Sequence, residues 1–224
     1  MTAAVLIVGS YLIGGVPVAY LTGRLLRGVD LREQGSGNVG ASNIWQTVSR
    51  TAVVPVGLAE IGQGMLGIAI AKLTDQSRTV QALSGVASVA GHNWSPFLGL
   101  TGGRGVGQAI GVMLALSRPA LAAFIAISLI GVRLRAIPQF VGLGIAAAPF
   151  VARAARQPRE IVAGTAAMAS LIVAKRLLSN RPRSLLGGDA RRLLLNRLLY
   201  DRDTREREVW VRRGGPTSQQ AMEG

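Results

Sequence analysis

Residues 2–21, TAAVLIVGSYLIGGVPVAYL, carry no charged side chain. As a helix rising about 1.5 Å per residue, such a run matches a hydrocarbon core about 30 Å thick. No basic residue precedes it, whereas Arg24, Arg27 and Arg32 follow, the reverse of a cleavable signal peptide. The positive-inside bias therefore places the N-terminus outside and the loop around Gly35 in the cytoplasm. Further apolar runs occupy residues 53–73, 82–91, 105–130, 139–151 and 161–174. Ser117-Arg118-Pro119 interrupts the run at 105–130, and proline removes a helical hydrogen bond, so two short helices are expected there. The pattern is that of an all-α polytopic membrane protein with about seven transmembrane helices, some short, in an N-out/C-in arrangement. The loop from His92 to Arg104 then shares the cytoplasmic side with the loop around Gly35.

Composition agrees. Of 224 residues, 49% are apolar and only 16% charged, outside the range of an ordinary soluble domain. Residues 1–178 are expected to form one membrane-embedded helical domain, and residues 179–224 a basic cytoplasmic tail. In that tail Leu193, Leu194, Leu195, Leu198 and Leu199 alternate with Arg191, Arg192, Arg197 and Arg202, the pattern of a helix lying on an anionic surface. The net charge is +14. Its arginines sit in loops and tail beside apolar spans, which favours the lipid bilayer and phosphorylated small molecules as partners, with no nucleic acid. The chain has no cysteine and one histidine, which removes thiolate chemistry and makes a His-rich metal site improbable.

Two loops have the composition of anion sites. The first reads Gly35-Ser36-Gly37-Asn38-Val39-Gly40-Ala41-Ser42-Asn43. Small residues let backbone N–H groups converge on an anion, and Ser36, Asn38, Ser42 and Asn43 add side-chain donors. The loop also fits G-x-G-x-x-G, but no strand precedes it, so the dinucleotide reading fails on context. The second contains Gly91-His92-Asn93-Trp94-Ser95-Pro96-Phe97 and continues through Gly102-Gly103-Arg104-Gly105-Val106. A guanidinium beside unhindered amides at a helix start is a second anion site. Glycine also permits close helix packing in membranes. Two such loops on one face, each with polar donors, favour anion binding.

Together the two motifs, Gly35-Ser36-Gly37-Asn38-x-Gly40-Ala41-x-Asn43 and Gly91-His92-x-x-Ser95-Pro96-Phe97-x-x-x-x-Gly102-Gly103-Arg104-Gly105-Val106, resemble those of the bacterial membrane glycerol-3-phosphate acyltransferases that use acyl phosphate. The opening Gly9-Ser10-Tyr11-Leu12-Ile13-Gly14-Gly15-Val16-Pro17 fits as well. The resemblance implies acyl transfer from acyl phosphate to the 1-hydroxyl of sn-glycerol 3-phosphate, without metal or other cofactor, in the plasma membrane with the active-site loops facing the cytoplasm. It implies Ser36, His92 and Arg104 as catalytic residues. Gly35, Gly37, Asn38, Gly40, Asn43, Gly102, Gly103, Gly105 and Arg176 would bind substrate phosphate.

The chain also departs from that pattern. Gln46 stands where the family has arginine, Gln63 follows Glu60 where the family has lysine, and Arg104 replaces a lysine. In the third motif region, residues 173–182, the asparagine and glutamate read as lost, with Arg176 retained as an anion contact and Arg181 or Arg183 as substitutes. These changes raise an alternative, a divergent paralogue that binds a phosphorylated lipid or metabolite with reduced or no acyltransferase activity. No internal repeat supports a transporter.

Overall fold

The computed structural model describes residues 2–180 and 190–203. Those residues form α-helices joined by turns, without a named strand. The first apolar run folds as α1 (Ala3–Gly15) and α2 (Val18–Arg27), broken at Pro17, which lacks the N–H that a continuous helix would use. A short α3 (Ala41–Thr47) leads into α4 (Val53–Leu73), followed by α5 (Arg78–Asn93). A single 3-10 turn (Pro96–Leu98) precedes α6 (Val106–Leu116). The chain continues through α7 (Arg118–Arg133), α8 (Ile137–Ala154) and α9 (Arg159–Leu178) to α10 (Ala190–Tyr200).

The break expected at Pro119 is present. Ser117 ends α6 and caps α7, its hydroxyl accepting from the Ala120 N–H at 3.3 Å. Among the described residues, four helical segments are long and apolar enough to cross a membrane, residues 3–27 taken together, α4, α8 and α9, whereas α6 is short. The protein is an all-helical, multi-pass membrane protein. Its interior is apolar, built around Ile68, Val89, Val112, Met113, Ile145 and Met168. Its outer surface is apolar too, with Val8, Leu58, Leu129 and Phe150 exposed. Helices apolar all round are stable only with lipid outside.

Helix glycines set the packing distances. A methyl group at Gly91 of α5 would overlap the Tyr11 carbonyl oxygen of α1, and one at Gly64 of α4 would overlap the Gln108 carbonyl of α6. These backbones touch, as small residues allow in membranes. The sequence reading placed His92 in a loop. It lies instead in the last turn of α5, which runs on to Asn93. The tail helix also differs from a purely surface element. Arg197 is buried, its Nε donating to Asp203 at 2.7 Å and its guanidinium to the Leu177 carbonyl at 2.6 Å, while Leu195, Leu198 and Leu199 face outward. Arg181 and Arg183, and the tail beyond residue 203, lie outside the described residues.

Candidate active site

The two glycine loops meet at one end of the bundle, where α5 and α9 end and α6 begins. In the first loop, Asp30 anchors the chain. Its carboxylate accepts from Arg32 at 2.6 Å and lies 3.3 Å from Arg24. The Arg32 guanidinium holds the Asp30 carboxyl below the usual carboxylate range. Asn43, fully buried, braces the turn from within. Its amide donates to the Leu31 and Gln34 carbonyls, both at 3.1 Å, and accepts from the Ser36 N–H at 3.4 Å. The Ser36 hydroxyl, half-buried, accepts from the Asn38 N–H at 3.3 Å. Asn38 is buried, and its Oδ1 has no partner among the described residues.

Loop two is tied to loop one through backbone and side chain. Val39 N–H points at the Gly102 carbonyl at 3.5 Å, and Gly103 N–H donates to the His92 carbonyl at 3.0 Å. Asn180, just past α9, completes the joint. Its Nδ2 donates to the Gly37 carbonyl at 3.1 Å and the Gly102 carbonyl at 2.6 Å, while its Oδ1 accepts from Gly102 N–H at 3.3 Å. The third segment therefore supplies an asparagine that the sequence reading overlooked. Gly105 begins α6 with φ of 71°, a left-handed conformation that suits glycine. Gly40 starts α3, and Gly35 packs its α-carbon toward the Asn43 amide.

Several loop amides expected to cradle an anion are thus already engaged. The N–H groups of Ser36, Gly37, Asn38, Gly102 and Gly103 all have protein acceptors. An anion entering between the loops would have to draw much of its affinity from side chains.

His92 is buried beneath Gly103, where any side chain would strike its Nε2. Its Nδ1 lies 2.8 Å from Gln108 Nε2, and that same amide nitrogen is 3.2 Å from Gln63 Oε1. With the amides assigned from this network, His92 Nδ1 accepts and Nε2 carries the proton toward the loops. Gln63 in turn donates to the Ile13 and Val16 carbonyls at 2.9 and 3.0 Å, satisfying the open end of α1. The glutamine that replaces a family cation is therefore a structural strut here. Gln46 lies apart from this network, on the rim of a surface groove with Trp45 and Arg50. Glu60, buried in α4, faces Gly40 and Gly107.

Besides Arg197, three further buried cations line the same end. Arg104 is buried, its Nε donating to Asp201 at 2.6 Å and its NH1 to the Lys175 carbonyl at 3.1 Å. Arg176 lies 3.9 Å from the same Asp201 carboxylate and donates to the Pro138 and Leu198 carbonyls at 3.2 and 3.3 Å. Lys175, also buried, sets its ammonium 5.3 Å from the centre of the Trp94 ring. Lys175 and Asn180 are site-lining residues that sequence reading missed. The lysine read as an ordinary helix-end cation, and Asn180 acts on carbonyls in loops far away in the chain.

Comparison with known proteins adds an independent line. A family model described as glycerol-3-phosphate acyltransferase matches residues 4–187, running through the third segment. The chain is 32% identical to glycerol-3-phosphate acyltransferase 5 of Dehalococcoides mccartyi, over 97% of this chain and 96% of that protein. It is 40% identical to a glycerol-3-phosphate acyltransferase of Parasynechococcus marenigrum over 53% of this chain and 56% of that one. Among solved structures it resembles PlsY (YgiH), an integral membrane glycerol 3-phosphate acyltransferase crystallised in its glycerol 3-phosphate form. There the TM-score is 0.75 with 28% identity, covering 91% of this chain and 95% of that one.

Proposed function

This chain belongs to the glycerol-3-phosphate acyltransferase family, and we propose that it moves an acyl group from acyl phosphate to the 1-hydroxyl of sn-glycerol 3-phosphate, giving lysophosphatidate and inorganic phosphate. The observation that carries this reading is the meeting of the Ser36 loop, His92 and the buried cations Arg104, Lys175 and Arg176 at one end of a membrane bundle. Two phosphorylated substrates need cations and hydrogen-bond donors, and a fatty acyl chain needs lipid beside them. Both are at hand. The match to full-length acyltransferases leaves the binding-only alternative unfavoured.

Acyl phosphate carries its own leaving group, so the site has to align the hydroxyl and neutralise charge more than to generate a nucleophile. The substrate hydroxyl oxygen attacks the acyl carbon and the carbon–oxygen bond to phosphate breaks. Inorganic phosphate departs with that electron pair, and the hydroxyl proton passes to its oxygens. No cofactor enters this balance. The Ser36 O–H donates a hydrogen bond to a phosphate oxygen and keeps its proton, with Gly35, Gly37, Asn38 and Gly40 shaping the turn and Asn43 bracing it from below. His92 donates from Nε2 toward the oxyanion. Arg104, flanked by Gly102, Gly103 and Gly105, offers its remaining N–H groups, and Arg176 adds positive potential. The active-site loops face the cytoplasm of the plasma membrane, where phosphorylated metabolites are found.

The donor decides between this activity and its neighbours. Purified protein in lipid is supplied with glycerol 3-phosphate and, separately, acyl phosphate or acyl coenzyme A of equal chain length. Turnover confined to acyl phosphate supports the assignment, and turnover confined to acyl coenzyme A overturns it.

A further inference from the structure

We propose that Lys175 is a phosphate-binding residue of this site, holding the phosphate group of one of the two substrates directly through its ammonium. The proposal rests on the acyltransferase reading for the identity of its ligand, and on the following geometry for its existence.

Of the four buried cations at this end among the described residues, three have a carboxylate, Arg197 being paired with Asp203 at 2.7 Å. Arg104 and Arg176 share Asp201, at 2.6 and 3.9 Å. Lys175 has none. The residue is only 2% exposed, yet among the described residues its ammonium has neither an ion-pair partner nor a hydrogen-bond acceptor. What it faces is the Trp94 ring, 5.3 Å away. Its backbone carbonyl takes the Arg104 guanidinium at 3.1 Å, which brings a like charge alongside.

A cation–π contact is favourable but smaller than the desolvation penalty of a buried ammonium. A buried charge is ordinarily paired or neutralised. Lys175 is therefore a cation waiting for an anion. The anion has to come from outside the described chain, because Asp201 is engaged by the two arginines. Position selects its chemistry. Lys175 precedes Arg176 on the last turns of α9, and Asn180, four residues beyond Arg176, holds Gly37 and Gly102 together. A phosphate group between the glycine loops and this helix end meets the ammonium as a compact point charge, the manner in which lysine binds phosphate. Until then the ammonium rests against the Trp94 ring. Both substrates carry such a phosphate, so the two Michaelis constants identify which one Lys175 holds.

The test compares wild type with Lys175→Met, which keeps length and packing against Trp94 but removes charge, and with Lys175→Arg, which restores it. Binding of inorganic phosphate and of glycerol 3-phosphate is measured by calorimetry without turnover, alongside the Michaelis constants for glycerol 3-phosphate and acyl phosphate. Folding is checked by the melting temperature. Losing one charge-assisted hydrogen bond predicts binding weakened about 10- to 100-fold in the methionine variant, with partial recovery in the arginine variant. A rise in only one Michaelis constant assigns the phosphate to that substrate. Phosphate binding equal to wild type in a folded Lys175→Met protein overturns the proposal. So does a loss that the arginine variant leaves unchanged while melting falls in both, since that pattern marks a packing role. Wild-type protein that binds phosphate through Lys175 but transfers no acyl group would sink the acyltransferase reading and leave this one standing.

Discussion

Arg104 Nε donates to Asp201 Oδ1 at 2.6 Å, so a residue at the start of the second loop's helix is held by one that follows the tail helix, 97 positions later in the chain. The guanidinium is 5% exposed and the carboxylate 26%. This pair fastens α10 over the site and fixes the direction in which Arg104 presents its remaining N–H groups.

Replacing the carboxylate therefore has two separable effects. Asp201→Asn leaves the buried guanidiniums of Arg104 and Arg176 without the carboxylate they share, and breaking a buried pair from one side is destabilising, here by about 1–3 kcal/mol because the carboxylate is partly exposed. Limited proteolysis should cut faster around α10, while the bundle stays folded. The Michaelis constant for glycerol 3-phosphate should fall, because a negative charge has left an anion site, and kcat should fall with the loss of Arg104 alignment.

Among the described residues, Asn180 is the single side chain that hydrogen-bonds carbonyls in both glycine loops. Asn180→Ala removes the side-chain partner of three buried backbone groups, leaving the Gly102 carbonyl only the long contact from Val39 N–H, at a cost of about 1–3 kcal/mol overall, and lets the loops separate. Activity should drop roughly 10- to 100-fold, since small misplacements of reacting groups have effects of that size. Asn180→Asp should fare no better, because it removes the donor that both carbonyls use. Steady-state kinetics on the two variants checks this.

Much of the fold was legible because membrane spans and their breakers are local signals. Thr2 to Leu21 and Pro119 could be read residue by residue, and the glycine loops stood out by composition. What was not legible is the set of contacts across the chain. Asn180 reaches Gly37 over a separation of 143 residues, and nothing near Asn180 in sequence announces that. Lys175 was hidden for a related reason. At the end of an apolar helix a lysine ordinarily reaches for the surface, and only the packing of Trp94 and α5 shows that this one turns inward. Asn43, chosen as an anion donor from its neighbourhood in sequence, turns its amide to the loop backbone.

The orientation of the loops can be read with thiol chemistry, because the chain has no cysteine. Ser42 is exposed at the first loop and Thr2 at the opposite, N-terminal end of α1. A Ser42→Cys protein should react with a membrane-impermeant maleimide in inside-out vesicles and not in intact cells, and Thr2→Cys should do the reverse.

The Asp30 anchor gives the first loop an acid limit. Its folded value lies below that of an unfolded aspartate, near 3.9, so the ionised pair stabilises fully above that value and is lost as pH falls through the folded one. Melting temperature should drop on acidification below about pH 4. Asp30→Asn should remove that part of the dependence. At neutral pH it should destabilise by less than about 1 kcal/mol, because the Arg32 side chain is 37% exposed.

The most direct test of the whole account is the stoichiometry of one reaction. Purified protein in lipid, given acyl phosphate and glycerol 3-phosphate, should release one phosphate for each lysophosphatidate formed, and Ser36→Ala should lose about 100-fold or more of that rate. Phosphate release without lysophosphatidate, or a wild-type rate no higher than that of Ser36→Ala, would contradict it.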